Sequence, residues 1–179
     1  LSSSSAASDV YKRQVFVCGG LTGVMVAVVP FDWQVHDTHF VVAHLHYVLV
    51  GGFVFPMLAA VYYWLPHVTG RTTSFGLGKA AFWLIFTGFN LTFFLMHLTG
   101  LRGMPRRVDT YPDVVGWTAL NLLSSIGGFI MTMGFALFLV DVVTQVGFGR
   151  RTRRNPWRAS TLEWATPVPP PSYAFASLP

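Results

Sequence analysis

The sequence predicts an all-α protein embedded in lipid, with four membrane-crossing helices. Three observations carry that prediction. Hydrophobic residues make up 53% of the chain and charged residues only 11%, where a soluble domain carries about 25%. Four long apolar runs are separated by short stretches rich in Gly, Pro and Arg. The second run opens on HDTHFVVAHLHYV, which places His36, Asp37, His39, His44 and His46 at its head.

A spanning helix needs about 20 apolar residues. The first run, 15–29, falls short of that and is read as a helix cut at its start. Pro30 ends it, and 31–35 is expected to be a loop holding Asp32 and Trp33. The second run, 38–65, is apolar apart from its histidines; Gly51 and Gly52 allow close helix packing and Pro56 should kink it. A polar turn follows at 66–74, a third helix at 77–98, a loop at 99–112 and a fourth helix at 114–146. Beyond it lies a basic and Pro-rich tail, 149–179. Residues 1–14, LSSSSAASDVYKRQ, are polar and Ser-rich, unlike everything after them. They read as a disordered segment of adapter or vector origin and are set aside from the fold. The chain then starts abruptly inside an apolar segment, as a truncated protein would.

The net charge of +5 does not indicate nucleic acid. Its arginines sit in loops and a tail beside apolar segments, where lipid-embedded proteins usually carry them. Arg150, Arg151, Arg153, Arg154 and Arg158 follow the fourth helix, so that end is assigned to the cytoplasm, together with the Arg71/Lys79 turn. His36-Asp37 and the Arg102/Arg106/Arg107 loop then face outside. The outer arginines run against the positive-inside rule and call for fixed anions nearby. The single cysteine, Cys18, lies in an apolar stretch and excludes a disulfide within the chain.

Ionisable groups inside lipid are candidate sites by default. His44 and His46 lie on the order of 10 Å below the outer surface, at 1.5 Å per residue. Two residues on a helix turn through roughly 200°, so the imidazoles leave on nearly opposite faces and cannot share one metal. Neutral imidazole is a good axial ligand for haem iron. The residues alone leave two readings, ligands of two irons or histidines bonded to neighbouring helices; the burial of a pair favours ligation. An H-x-H pair on a strand of a soluble metal hydrolase is excluded by the apolar run that follows. His36 and Asp37 offer two donors to a divalent cation, with water or another chain completing the shell; the alternative is a helix cap by Asp37. Arg106 and Arg107 suit carboxylates, haem propionates among them, or lipid headgroups. His39 lies about 20° in rotation from His46 and lines the same face. His67 and His97 read as interfacial or structural.

Taken together, GGLTG (19–23), HDT-x-F-VVAH-x-HYV (36–48), GMPRR (103–107), YPD (111–113) and LEW (162–164) before a Pro-rich stretch resemble subunit I of the haem–copper oxidases, cytochrome c oxidase type. The resemblance covers residue 15 to about 179. It implies a C-terminal four-helix part of a twelve-helix fold: the end of the ninth helix and the tenth to twelfth, over 15–148. It implies that His44 is the proximal and catalytic ligand of the high-spin haem and His46 an axial ligand of the low-spin haem. It makes His36 and Asp37 ligands of magnesium or manganese, and Arg106 and Arg107 binders of the propionates. Leu45 stands where the family commonly has Phe, and His39 where many members have Tyr. The copper ligands, the second ligand of the low-spin haem and the main proton channels belong to helices outside these segments, so the fragment alone is expected to be inactive. The activity implied is reduction of O₂ to water with electrons from cytochrome c, coupled to proton translocation. Tyr47 leans toward cytochrome c; a quinol oxidase of the same superfamily, or a non-catalytic haem-binding membrane protein, is the alternative. Expected cofactors are two haems, A type, copper, and magnesium or manganese. Expected partners are the remaining helices of subunit I, subunits II and III, cytochrome c and lipid, in a bacterial inner membrane with the C-terminus cytoplasmic.

Overall fold

The computed structural model describes residues 3–72, 76–113, 116–152 and 155–171, with the side chains of 3–12 excepted. Its helices are α1 (Ser3–Ala27), α2 (Val29–Val35), α3 (His39–Leu49), α4 (Phe55–Thr69), α5 (Gly76–Leu101) and α6 (Thr118–Phe148). A π-helical turn, Val50–Val54, joins α3 to α4. The run from His39 to Thr69, α5 and α6 are each long and apolar enough to cross a membrane. Residues 13–27 with α2 form a bent pair that makes a fourth span if counted as one, the two parts meeting at 100°.

Three expectations change in detail, and the surroundings of Pro56 gain one. Residues 31–35 form the short helix α2 rather than a loop. Pro30 sits in its first turn with Asp32, where a missing N–H costs nothing and a carboxylate meets the positive end of the helix dipole. Pro56 does not break the second span. The Phe55 N–H bonds back to the Val50 carbonyl, five residues earlier, so the widened turn absorbs the absent proline donor. The helix runs on through Pro66 to Thr69 and stops at Gly70, whose φ of 65° is the left-handed cap that glycine adopts freely. Finally, residues 3–14, expected to be disordered, continue α1 as helix. Ala6, Ala7, Lys12, Arg13 and Gln14 propagate an existing helix at little cost. The expected start of the fourth helix, Val114, lies outside the described residues, as do Arg153, Arg154 and 172–179; the described helix starts at Thr118.

α5 and α6 form the most extensively packed pair. A Cβ on Gly88 would lie 2.4 Å from the Met131 nitrogen, and one on Gly127 would lie 2.7 Å from that of Thr92. The small residues let the backbones touch, as lipid-embedded helices require when hydrophobic segregation gives no drive. Thr92 and Ser124 then exchange hydrogen bonds through side chain and carbonyl, at 3.1 and 2.9 Å. α3 packs on α5 through Tyr47, Phe89 and Phe93, with Tyr47 donating to Asn90 at 2.9 Å. α1 lies antiparallel to α3: Gly19 faces Val48 and Gly23 faces His44.

The two ends differ in construction. At one end β1 (Arg71–Thr72) pairs antiparallel with β2 (Arg150–Arg151). This ties the α4–α5 turn to the tail, and Arg71 donates to the α6 carbonyls of Val146 (3.2 Å) and Gly147. The tail folds back on α4: Trp157 donates to the Tyr63 carbonyl at 3.1 Å and Trp164 to the Tyr63 hydroxyl at 2.7 Å. At the other end an isolated bridge pairs Thr38 with Pro105.

Candidate functional site

That bridge brings His36-Asp37 and the GMPRR loop together. His39 N–H donates to the Met104 carbonyl at 3.0 Å, and Arg106 N–H donates to the Asp37 carbonyl at 2.8 Å. Met104 is buried beneath them. Thr38, not Asp37, caps α3: its hydroxyl accepts the Phe40 N–H at 3.2 Å. Asp37 takes a φ of 57° and turns its carboxylate to the Arg106 guanidinium. His36 lies 3.3 Å from Asp32 and 4.0 Å from Asp37. All of this is near the surface, His36 being 68% exposed. Arg107 is exposed with a φ of 64°.

One to two turns into α3 the two imidazoles diverge. His44 turns to α1, its Nδ1 2.9 Å from the Gly19 carbonyl and 3.2 Å from the Thr22 hydroxyl. His46 turns to α5. Its ring stacks on Phe93, centroids 4.0 Å apart and 13° from parallel, and its Nδ1 lies 2.8 Å from the Val42 carbonyl. A carbonyl can only accept, so both rings carry their hydrogen on Nδ1. Each Nε2 is left as a lone-pair donor, with no hydrogen-bond partner among the described residues. This is the tautomer that an axial iron ligand needs, with the other nitrogen fixed by a backbone oxygen. The donor chemistry therefore fits two haems, one on each side of α3.

The outer cluster is a less complete site. His36 and Asp37 supply two donors, and the Asp37 carboxylate is also the Arg106 counter-ion. Among the described residues no group of three or more His, Cys, Asp or Glu could hold a metal. A cation here needs water or another chain for its remaining ligands.

Other residues fall as follows. His39 Nδ1 lies 3.2 Å from the Thr99 hydroxyl of α5, so it shares the α5-facing side with His46. His97 is buried edge-on between Phe40 and Tyr47, at 5.1 and 5.3 Å. His67 sits in the last turn of α4 with its ring edge-on to Trp164 at 5.0 Å. Leu45 is exposed between the two histidines. The residues that hold the rings, Gly19, Thr22, Gly23 and Phe93, carried no predicted role. The signal for the first three was the spacing Gly19-x₃-Gly23, a small-residue face that lets a neighbouring helix close in; nothing marked Phe93.

Residues 13–130 match the family described as cytochrome c and quinol oxidase polypeptide I. The chain belongs to this family. It is 50% identical over 165 residues to cytochrome c oxidase subunit 1 of Alkalihalophilus pseudofirmus, covering 92% of this chain and 26% of that protein. To the subunit 1 proteins of Bacillus subtilis and Synechocystis it is 48% identical over 165 residues and 50% over 155. Those matches cover 92% and 87% of this chain, and 26% and 28% of the relatives. The chain thus spans about a quarter of the length of the curated relatives it matches. A chain of a heme-copper terminal oxidase dimer superposes with a TM-score of 0.73 at 23% identity, over 82% of this chain and 27% of that one. The likeness shows the fold. The helices and the family make this an integral membrane protein, and haem and copper are typical cofactors of such oxidases.

Proposed function

We propose that this chain is a C-terminal part of the catalytic subunit of a terminal respiratory oxidase, which reduces O₂ to water with electrons from cytochrome c and moves protons across a bacterial inner membrane. The observation that carries the reading is the pair of imidazoles on α3, each with Nδ1 on a backbone carbonyl and each turned to a different neighbouring helix. When bound, the haems would supply electron transfer and the reduction of dioxygen.

The residues of this chain hold and orient. His44 is proposed as the proximal ligand of the high-spin iron, and α1 fixes its ring through Gly19. His46 is proposed as an axial ligand of the low-spin iron, and Phe93 fixes its ring plane. Because both sit on one rigid helix, the distance between the two centres is set by backbone geometry rather than by a loop. Arg106 and Arg107 provide positive charge for propionates at the outer end. His36 and Asp37 provide two ligands for magnesium or manganese there. The copper site, subunits II and III and the remaining helices complete the enzyme. The arginine-rich β1–β2 end is read as cytoplasmic. Residues 1–14 are read as foreign; the family match supports this for 1–12 and takes in Arg13 and Gln14. Their helical continuation would also carry Asp9, Lys12 and Arg13 along an apolar span, where charge is costly.

The test is optical and uses the full-length enzyme. His44→Ala should remove the high-spin haem spectrum and His46→Ala the low-spin one. Loss of the same signal by both variants would refute the assignment. Steady-state turnover with reduced cytochrome c against a quinol decides the donor: activity with quinol alone would replace the cytochrome c reading. Purified 1–179, lacking the copper ligands, should take up no oxygen above a haem-only blank.

A further inference from the structure

α1 presents Gly19, Thr22 and Gly23 to His44 on one face, at the i, i+3, i+4 spacing of a helix. The two glycines act by absence: a Cβ on Gly23 would lie 2.8 Å from the His44 Cε1. Thr22 is different, because it carries a proton. Its hydroxyl donates back along its own helix to the Gly19 carbonyl at 2.9 Å, with the Cys18 carbonyl at 3.2 Å as the other acceptor. The nearer acceptor is the same oxygen that holds the His44 Nδ1–H, also at 2.9 Å. The Thr22 oxygen itself lies 3.2 Å from that Nδ1, at the outer edge of hydrogen-bond length.

One carbonyl of the α1 ladder therefore serves two side-chain donors. We infer that Thr22 is a positioning residue that sets how strongly the Gly19 carbonyl polarises His44, and through it the electron donation of Nε2 to a bound iron. The inference rests on the proposed role of His44 as an axial ligand. The physical sequence is short. A donor on Nδ1 that is strongly hydrogen-bonded gives the ring imidazolate character, which makes Nε2 a better base and ligand. The Thr22 hydroxyl draws on the lone pairs of Gly19 and weakens that bond. Its own acceptance from Nδ1 is the longer and weaker contact, so competition for the carbonyl outweighs it. His46 has no such competitor: its Nδ1 bonds the Val42 carbonyl of its own helix, with no hydroxyl at that site among the described residues. The two ligands are thus tuned differently although their backbone acceptors are alike.

The experiment uses full-length oxidase with Thr22→Val, Thr22→Ser and His44→Ala, read by haem content, resonance Raman of the reduced high-spin haem, and redox titration. Thr22→Val keeps the shape and removes the hydroxyl. The expected result is unchanged haem content, an iron–histidine stretching band shifted to higher frequency and a lowered potential of the high-spin haem. The low-spin haem should not move. Thr22→Ser should restore the wild-type band. A Thr22→Val band that is unmoved or shifted down overturns the inference, as does a Thr22→Ser band displaced as far as that of Val. The underlying assignment fails separately: if His44→Ala keeps the high-spin band, His44 is not the ligand.

Discussion

His44 and His46 sit two residues apart on one helix, yet they are held by different kinds of structure. The His46 ring is fastened to the Val42 carbonyl, one turn earlier on its own helix, and is braced by Phe93. Once α3 forms, its hydrogen bond follows from local geometry. His44 is fastened to Gly19, a residue 25 positions away on α1. Its orientation exists only when α1 and α3 pack, and that packing depends on the absence of side chains at positions 19 and 23. One proposed ligand is therefore preorganised by secondary structure and the other by tertiary contact. Catalytic geometry is more easily lost at the second kind of site, because any change in helix spacing moves the ring.

The largest expected effect is removal of either imidazole. His44→Ala and His46→Ala should each abolish oxygen uptake by the full-length enzyme, but through loss of different haems in the optical spectrum. A catalytic constellation needs all its members, so activity alone does not tell them apart. The spectra do.

Next comes Gly23→Ala, which attacks only the tertiary site. The new methyl group would lie 2.8 Å from the His44 Cε1, so α1 must retreat or the ring must turn. Overpacking of this kind costs about 1–3 kcal/mol. High-spin haem content should fall while low-spin haem content, read from the same spectrum, stays near wild type. Equal losses of both haems would mean that α1 supports the whole of α3 and that the contrast between the two histidines is false.

Much of this was legible in the residues, and the part that was not shares one cause. The apolar runs gave the spans, because lipid leaves a helix few alternatives. The two-residue spacing gave divergent directions for His44 and His46, and the structure turns them to α1 and α5. The meeting of the two outer loops was expected from a shared-anion argument; the structure makes it with a backbone bridge, Thr38 to Pro105. What stayed hidden depends on contacts between distant segments. Phe93 is one phenylalanine among 16, and no pattern marks it as the partner of His46. The π turn before Pro56 was hidden too, because a register change that absorbs a proline is not displayed in the sequence. The folded tail was invisible because Trp157 and Trp164 are placed by Tyr63, about a hundred residues earlier.

A smaller effect is expected at the locally held ring. Phe93→Leu removes the stacked face beside His46 but leaves the Val42 hydrogen bond. Aromatic stacking adds about 0.5–1.5 kcal/mol beyond area burial. Low-spin haem should be retained, with a broadened or slightly shifted absorption band as the ring gains rotational freedom. Complete loss of that haem would show that Phe93, rather than the helix, fixes His46.

The smallest expected structural effect is at Arg106, where charge and architecture separate cleanly. Its guanidinium pairs with Asp37, a half-exposed contact of the kind that contributes about 0–1 kcal/mol. Its backbone does more for the fold. The Arg106 N–H bonds the Asp37 carbonyl at 2.8 Å, and the Met104 carbonyl holds His39 at 3.0 Å. Arg106→Leu keeps both bonds, so the outer loops should stay joined and haem content should stay near wild type. What the variant loses is a positive charge next to the proposed propionates. A nearby cation favours the electron-rich state, so its removal should lower the haem potential, an effect that grows at low ionic strength. Redox titration of the full-length variant at two salt concentrations measures this. A potential that does not move would place the propionates elsewhere. A loss of haem content comparable to that in His44→Ala would mean that the outer charge is itself a ligand clamp, and that the site is held as much from its rim as from α3.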